Sequence, residues 1–416
     1  MDLDGVNTAG VEKVDDAKNR VVHLTSVHAP YDNRILYKEC ATLAAAGFDV
    51  FLVAPHEHDE MVEGVQIKAV PRLKGRLRRM LLTAGAVYRQ AKRLNADIYH
   101  VHDPELLPFA QLLRRFSNAQ VIFDMHESLP KQLLTKSWLP ARFRPLVSLL
   151  YRSIERKLLA GVHVVFAEDS YRDDYPWLTG IVIHNFPQAE HLLGIERPRA
   201  QNPTVGYLGG VAAGRGSEIT LEALRILRES GLDVQFECIG PATQVHQAHL
   251  TSFCHQVGLT NVHYRGYLPP REAIQLIAAC HVGLAVLQPN PNYIDSYPTK
   301  LFEYMALGLP VITSDFPLYR SIVEPDQCGL CVNPSCPQGL ADALRYLITH
   351  PVEAKAMGQR GKEAVRKYYN WEMDSQELLR LYRRLVRQPE RAHAESLSKT
   401  TQVARSSSTS SKDPLR

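Results

Sequence analysis

Short apolar runs alternate along the chain with segments whose apolar residues recur every three or four positions, the signatures of strand and helix. Val21 to Thr25 precedes Ile35 to Ala46, in which Leu36, Cys40 and Leu43 recur at helical spacing, so the chain opens with a strand-then-helix unit. Further strands are expected at Asp49 to Ala54, Val65 to Val70, Asp97 to Val101, Gln120 to Phe123 and Val162 to Phe166. Each is short and rich in Val, Ile and Phe, as strands covered on both faces of a parallel sheet must be. The pattern lapses between Gln188 and Pro203, where Pro198, Asn202 and Pro203 mark a polar connection, and then resumes. Strands are expected at Thr204 to Leu208, Val234 to Ile239, Val262 to Tyr264, Val282 to Ala285 and Val311 to Thr313, with helices at Glu218 to Glu229, Arg271 to Ala279, Lys300 to Leu307 and Gln338 to Thr349. The expected fold class is α/β, with two Rossmann-like, doubly wound domains facing a central cleft. The boundaries read as a disordered extension 1–20, a first domain 21–190, a linker 191–203, a second domain 204–370, a closing helix 371–390 and a disordered tail 391–416 rich in Ser, Thr, Lys and Arg.

Composition narrows the function classes. In 416 residues, 48 Lys and Arg face 44 Asp and Glu, a balance that excludes nucleic-acid binding by bulk charge. Seven cysteines in so long a chain read as reduced core residues. The acidic start, with Asp2, Asp4, Glu12, Asp15 and Asp16, is unlike a signal peptide, and no stretch reaches the roughly 18 apolar residues of a membrane span. The expected location is the cytoplasm.

The most informative segment runs from Asp295 through Ser-Tyr-Pro-Thr299-Lys300-Leu301-Phe to Glu303, and on to Pro310 and Ser314. Pro298 suits a first helical turn, so the helix start presents free N–H groups and Lys300 as a site for phosphate. Asp295 and Glu303, eight apart, offer carboxylates to paired sugar hydroxyls. On spacing alone a solvated helix face accounts for Glu303 and Lys300 equally well. Gly206-Tyr-Leu-Gly209-Gly210-Val-Ala-Ala-Gly214-Arg215-Gly216 follows the first strand of the second half; its glycines allow close backbone approach and Arg215 can pair with a diphosphate, although a flexible turn also explains it. It matches neither the dinucleotide fingerprint nor the phosphate loop. In the first half, His28, His100, His102, Asp103, Asp124, His126 and Glu127 sit at strand ends and point to a cleft. They lack the spacing of a metal site, and Cys328, Cys331 and Cys336 make only half of one, so no metal is expected.

These residues resemble the retaining, nucleotide-sugar-dependent glycosyltransferases of family 4, of GT-B fold. The resemblance runs from about Val21 to Val386 and rests on Asp295-x7-Glu303 with the following Tyr-Met-Ala-Leu-Gly-Leu-Pro-Val-Ile, on His102-Asp103-Pro, Asp124-x-His126-Glu127, Ile183-His-Asn185-Phe-Pro187, Gly209-Gly210 and Arg215-Gly216. It implies that Glu303 holds the donor ribose, that Arg215 and Lys300 hold the diphosphate with Gly209, Gly210, Thr299 and Leu301 about it, and that Asp295 and His102 meet the transferred sugar. His28, Asp103, His126 and Glu127 would line the acceptor side. The helix after Tyr369-Asn-Trp371 would cross back onto the first domain. No cofactor is implied beyond the nucleotide-diphosphate sugar as co-substrate, a uridine rather than a guanosine one by family habit, and no metal. The Asp-x-Arg-Ile sequence at Asp32 to Ile35 resembles a bacterial surface-polysaccharide branch of the family. The first acidic position departs from the family pattern, being Asp295 rather than Glu.

The implied partners are a nucleotide sugar and a glycan or lipid-linked acceptor, in polysaccharide or glycoconjugate synthesis. The stretches Arg72 to Leu82 and Lys136 to Arg144 mix cations with large apolar groups, which suits peripheral contact with the inner face of an anionic membrane. The alternatives are a sugar-nucleotide epimerase or hydrolase of the same fold and a non-catalytic GT-B-like subunit.

Overall fold

The computed structural model describes residues 18–73, 75, 78–135 and 139–387. The tail, nearly all of the N-terminal extension, and Lys74, Arg76, Lys136, Ser137 and Trp138 of the two basic stretches lie outside the described residues. Contacts divide the chain into two units, one of residues up to 121 joined by those from Tyr382 onward, the other of residues 122–381.

The first unit is built on β1 (Arg20–Leu24), β2 (Asp49–Pro55), β3 (Glu60–Val62), β4 (Val65–Val70) and β5 (Ile98–Val101), in the order β3-β4-β2-β1-β5. The strands run parallel except for the β3–β4 hairpin, which had no apolar run to announce it. Its turn is Glu63-Gly64, both at positive φ, the backbone that matches the twist of a two-residue hairpin. The helix expected over Ile35 to Ala46 begins earlier and is wider: a π-helical segment, Asn33–Cys40, runs into an α-helical turn, Ala41–Ala45. Asp32 caps it, its side chain accepting from the Arg34 and Ile35 amides. The wider coil brings residues five apart onto one face, and the buried Arg34 and Glu39 pair there at 3.0 Å.

In the second unit, β6 (Gln120–Met125), β7 (His163–Phe166) and β8 (Gly180–Val182) run parallel. A separate six-stranded sheet contains β9 (Thr204–Leu208), β10 (Gln235–Ile239), β11 (Val262–Gly266), β12 (Val282–Ala285), β13 (Val311–Ser314) and β14 (Gly329–Val332). All its pairings are parallel and its order is β11-β10-β9-β12-β13-β14. Helices cover both faces. Leu221, Leu224 and Leu227 of helix Ser217–Glu229 join Leu340 and Leu344 of helix Pro337–Thr349 in one core, and Leu301, Phe302 and Met305 join Ile277, Ile322 and Val365 in the other. Chain order reverses between β9 and β12, and at such a switch point the loops leaving neighbouring strands diverge and open a crevice for ligand.

The connection read as a linker is structured. Ala189–Leu193 is helical, with Ala189 and Leu192 buried in the second core, and Arg199 donates to the carbonyls of Ala278 and Gly308 at two helix C-termini. Polar composition hid this because the stretch is held by a guanidinium and two small apolar contacts rather than by an apolar run. The seven cysteines are free, and Cys336 serves as a cap, its sulfur accepting from the Gly339 amide.

Candidate active site

β9 delivers the chain to the switch point and must then turn away tightly. Gly209 does this at φ +120°, with its amide bonded to Ile239. A short 3-10 turn, Ala213–Arg215, leads to Gly216 at φ +82° and directly into helix Ser217–Glu229. A Cβ on Gly216 would lie 1.9 Å from the Val286 carbonyl oxygen, so no larger residue fits. The turn aims Arg215 back over the loop: a side chain on Gly209 or Gly210 would meet its guanidinium at 3.8 and 3.7 Å.

The second cation arrives from the β12-to-β13 connection. Helix Thr299–Ala306 starts after Pro298 and ends at Gly308, at φ +67°, with the Leu309 amide bonded back to Tyr304. Lys300 and Tyr304, four apart, share one face. Tyr304 hydroxyl accepts the Leu208 amide at 2.7 Å, and Lys300 Nζ lies 3.3 Å from where a Gly209 Cβ would stand. That ammonium is buried without a hydrogen-bond partner, 3.7 Å from the centre of the Tyr207 ring. Burial, then the neighbouring Arg215 guanidinium, lowers its pKa to about 7. Two cations thus converge on a glycine-lined hollow at the switch point with no anion between them, the electrostatic shape of a phosphate site.

The other expected donor residues divide. Thr299 and Glu303 are half-buried on the same helix, with Glu303 close enough to favour the charged form of Lys300. Leu301 has a wholly buried side chain, and its amide is bonded to the Pro298 carbonyl. Asp295 is exposed at the end of the short helix Pro291–Ile294, its carbonyl accepting from the Ser170 hydroxyl.

The histidine and acidic residues of the first half are more buried than strand-end placement suggested. His102 is 2% exposed, and its Nε2 lies 2.9 Å from His23 Nδ1. His100 Nδ1 is 2.6 Å from the Tyr382 hydroxyl, which also reaches His23, and the Glu39 carboxylate stands 3.7 to 4.0 Å from all three imidazoles. These four groups could hold a metal ion, which the motif spacing gave no sign of. Asp103 is structural: it accepts from the Thr25 hydroxyl and the Ser26 and Val27 amides, and so shapes the loop after β1. His28 is half-buried on that loop between Asp32 and Asp103. In the second unit, His126 pairs with the buried Asp124 at 2.9 Å, and Glu127 is exposed and accepts from Gln132.

Two family descriptions match: Glycosyltransferase Family 4 over residues 33–171 and Glycosyl transferases group 1 over residues 202–350. The chain belongs to the family 4 glycosyltransferases. Among its relatives are D-rhamnosyltransferase WbpZ of Pseudomonas aeruginosa, 25% identical over 68% of this chain and 73% of that one, and phosphatidyl-myo-inositol mannosyltransferase of Mycobacterium leprae, 27% identical over 69% and 73%. Solved structures of the same GT-B fold include a Rickettsia africae glycosyltransferase, at 14% identity and TM-score 0.70 over 89% of this chain and all of that one. Anabaena Alr3699/HepE, in complex with UDP-glucose, matches at 14% identity and TM-score 0.67 over 87% of this chain and 99% of that one. The protein is thus a glycosyltransferase of glycan or glycolipid biosynthesis, which sets aside the epimerase, hydrolase and non-catalytic alternatives.

Motif reading of this glycosyltransferase missed Tyr207 and Tyr304, because a tyrosine in an apolar run carries no sign of what its ring or hydroxyl touches. The glycine loop gives a direct test. Gly216→Ala is expected to lose about 2 kcal/mol or more of stability, read as a lower urea midpoint, since its Cβ strikes backbone at positive φ. Gly214→Ala, whose Cβ would meet only Tyr293 at 3.7 Å, should remain close to wild type.

Proposed function

We propose that this glycosyltransferase moves a glycosyl group from a nucleoside-diphosphate sugar, the uridine form above the guanosine form, to a hydroxyl of a glycan or lipid-linked acceptor, retaining configuration at the anomeric carbon. The observation that carries the reading is the buried, partnerless ammonium of Lys300 beside Arg215 over Gly209 and Gly210. Cleaving the sugar–phosphate bond builds positive charge at the anomeric carbon and negative charge on the leaving diphosphate, and fixed cations at the diphosphate lower that barrier. Side-chain cations already in place can do this without a metal ion. In this reading residues 204–370 hold the donor and 21–190 the acceptor, Glu303 takes the ribose and Asp295 turns its exposed carboxylate toward the sugar. His102, enclosed with its Nε2 on His23, contributes by fixing neighbouring groups rather than as an exposed base. Attack from the face the diphosphate leaves requires no such base, because a leaving phosphate oxygen takes the acceptor proton.

A lipid-linked acceptor is supported by the surface. Among the described residues no helix is long and apolar enough to cross a membrane. Helix Arg144–Leu158, however, leaves Leu146, Leu149, Leu150 and Ile154 exposed, two of them by 64%, between the exposed cations Arg142, Arg152, Arg156 and Lys157. Apolar side chains flanked by cations suit the headgroup region of an anionic leaflet. Met80, Leu81 and Leu82 form a second exposed apolar stretch, in the other unit.

Three experiments test these readings. Arg215→Ala and Lys300→Ala should each lower turnover at least about 10-fold, the scale of a lost charge-assisted contact, and full activity in both removes the diphosphate assignment. Because Lys300 sits at about 7 in the empty site, UDP should restore its charge and take up most of a proton at pH 8, measurable by calorimetry in buffers of different ionisation enthalpy. At the membrane, phosphatidylglycerol vesicles should sediment the wild-type protein at low salt, and Leu149→Glu with Leu150→Glu should leave it in solution. Absence of wild-type binding removes the membrane surface from the reading.

A further inference from the structure

The segment that leads into Lys300 is held by a group of residues that no motif contains. Glu168, Asp169 and Ser170 follow β7, and each reaches the same three-residue stretch more than 120 positions later. Ser170 hydroxyl donates to the Asp295 carbonyl at 3.1 Å, the Tyr297 amide donates to Glu168 Oε2 at 3.1 Å, and the Tyr297 hydroxyl donates to Asp169 Oδ2 at 2.9 Å. Asp169 is itself braced. The same Oδ2 lies 2.9 Å from His184 Nε2, and His184 Nδ1 lies 3.4 Å from Asp374 Oδ1 on helix Trp371–Val386. With a carboxylate at each ring nitrogen, His184 donates from both and is held as the imidazolium. Burial opposes that charge, but the hydrogen bonds it donates to Asp169 and Asp374 prevail and raise its pKa to about 9. The rings close the arrangement: Phe186 stacks on His184 at 4.5 Å, and Tyr297 meets both edge-on, at 5.2 and 5.5 Å.

We propose that Asp169, braced by His184 and Asp374, is a positioning residue of the donor site: by gripping Tyr297 it sets where the chain enters helix Thr299–Ala306, and hence where Lys300 stands. The inference rests on the reading of Lys300 as a diphosphate ligand. Its physical basis is leverage. Tyr297 precedes Lys300 by three residues, and the connection from Asp295 to Pro298 lies between two helices. Three side-chain hydrogen bonds from one tripeptide replace regular pairing there, and one ends on a carboxylate already locked by a cation. Release of Tyr297 frees the first turn of the helix while its last turns, Phe302 to Ala306, remain anchored in the core.

The test uses the full chain and UDP as the probe. Tyr297→Phe keeps the ring and removes the grip; Asp169→Asn keeps the shape and removes the charge. Both should melt close to wild type, bind UDP about 5-fold more weakly, the scale of one typical net hydrogen bond, and take up a different fraction of a proton at pH 8 because the surroundings of Lys300 have changed. A change in proton uptake is a response that lost stability alone does not produce. If Lys300→Met loses UDP affinity while Tyr297→Phe and Asp169→Asn bind UDP with wild-type affinity and proton uptake, the positioning role is overturned and the diphosphate site stands. If wild type and Lys300→Met bind UDP equally, the donor site itself is misassigned and both readings fall.

Discussion

A lysine ammonium withdrawn from water without an anion is among the most expensive arrangements a fold can keep, and the second unit is organised around one. Lys300 cannot retreat to solvent, because the residues on either side of it in the helix are committed elsewhere. Leu301, Phe302 and Met305 fill the core beneath the sheet, and Tyr304 is bonded to the end of β9. Gly283 makes room for Tyr304, since a Cβ there would lie 2.4 Å from its ring. The helix is thereby fixed in depth and rotation, and its first turn must present Lys300 to the hollow after β9. The flanking Arg215 raises the cost further and lowers the lysine pKa. In the proposed reading, an arriving diphosphate offsets both penalties at once.

How far this was legible in the sequence depended on what each contact consists of. Strands buried on both faces advertise themselves: Thr204–Leu208 and Val282–Ala285 have the limits that the apolar runs gave, and Val65–Val70, with Gln66 and Lys68 only half-buried, keeps its limits through Val65, Ile67 and Val70. The convergence of two cations was legible as well, since Arg215 and Lys300 stand beside glycine and proline punctuation that implies a loop and a helix start. The side-chain geometry was not. No local sign marked the complete burial of the Leu301 side chain or the hold of Arg199 on the stretch read as a linker. The π-helical turn at Asn33–Cys40 escaped because a pattern of period 3.6 places Arg34 and Glu39 on different faces, and only their pairing reveals the wider coil.

Histidines show the same limit from the other side. Placement at strand ends marked His100 and His102 for a cleft, yet both are enclosed, and His23 in the register position opposite His100 completes the group. No local rule could bring in Tyr382, 282 residues from His100, although its hydroxyl contacts two of the three rings. Through that hydroxyl the last helix supplies part of the polar interior of the first unit. Buried polar groups of this kind specify an arrangement because each has geometric demands that an apolar side chain lacks.

The two units therefore bury polar groups to opposite ends. In the first, histidine, glutamate, arginine and tyrosine side chains face one another, and their mutual contacts offset desolvation inside the unit. In the second, an ammonium and a guanidinium are brought together, each over a tyrosine ring, with Glu303 near enough to favour the charged form of the lysine. The desolvation of Lys300 is offset when something anionic occupies the hollow. In the proposed reading, that anion is the diphosphate of a donor.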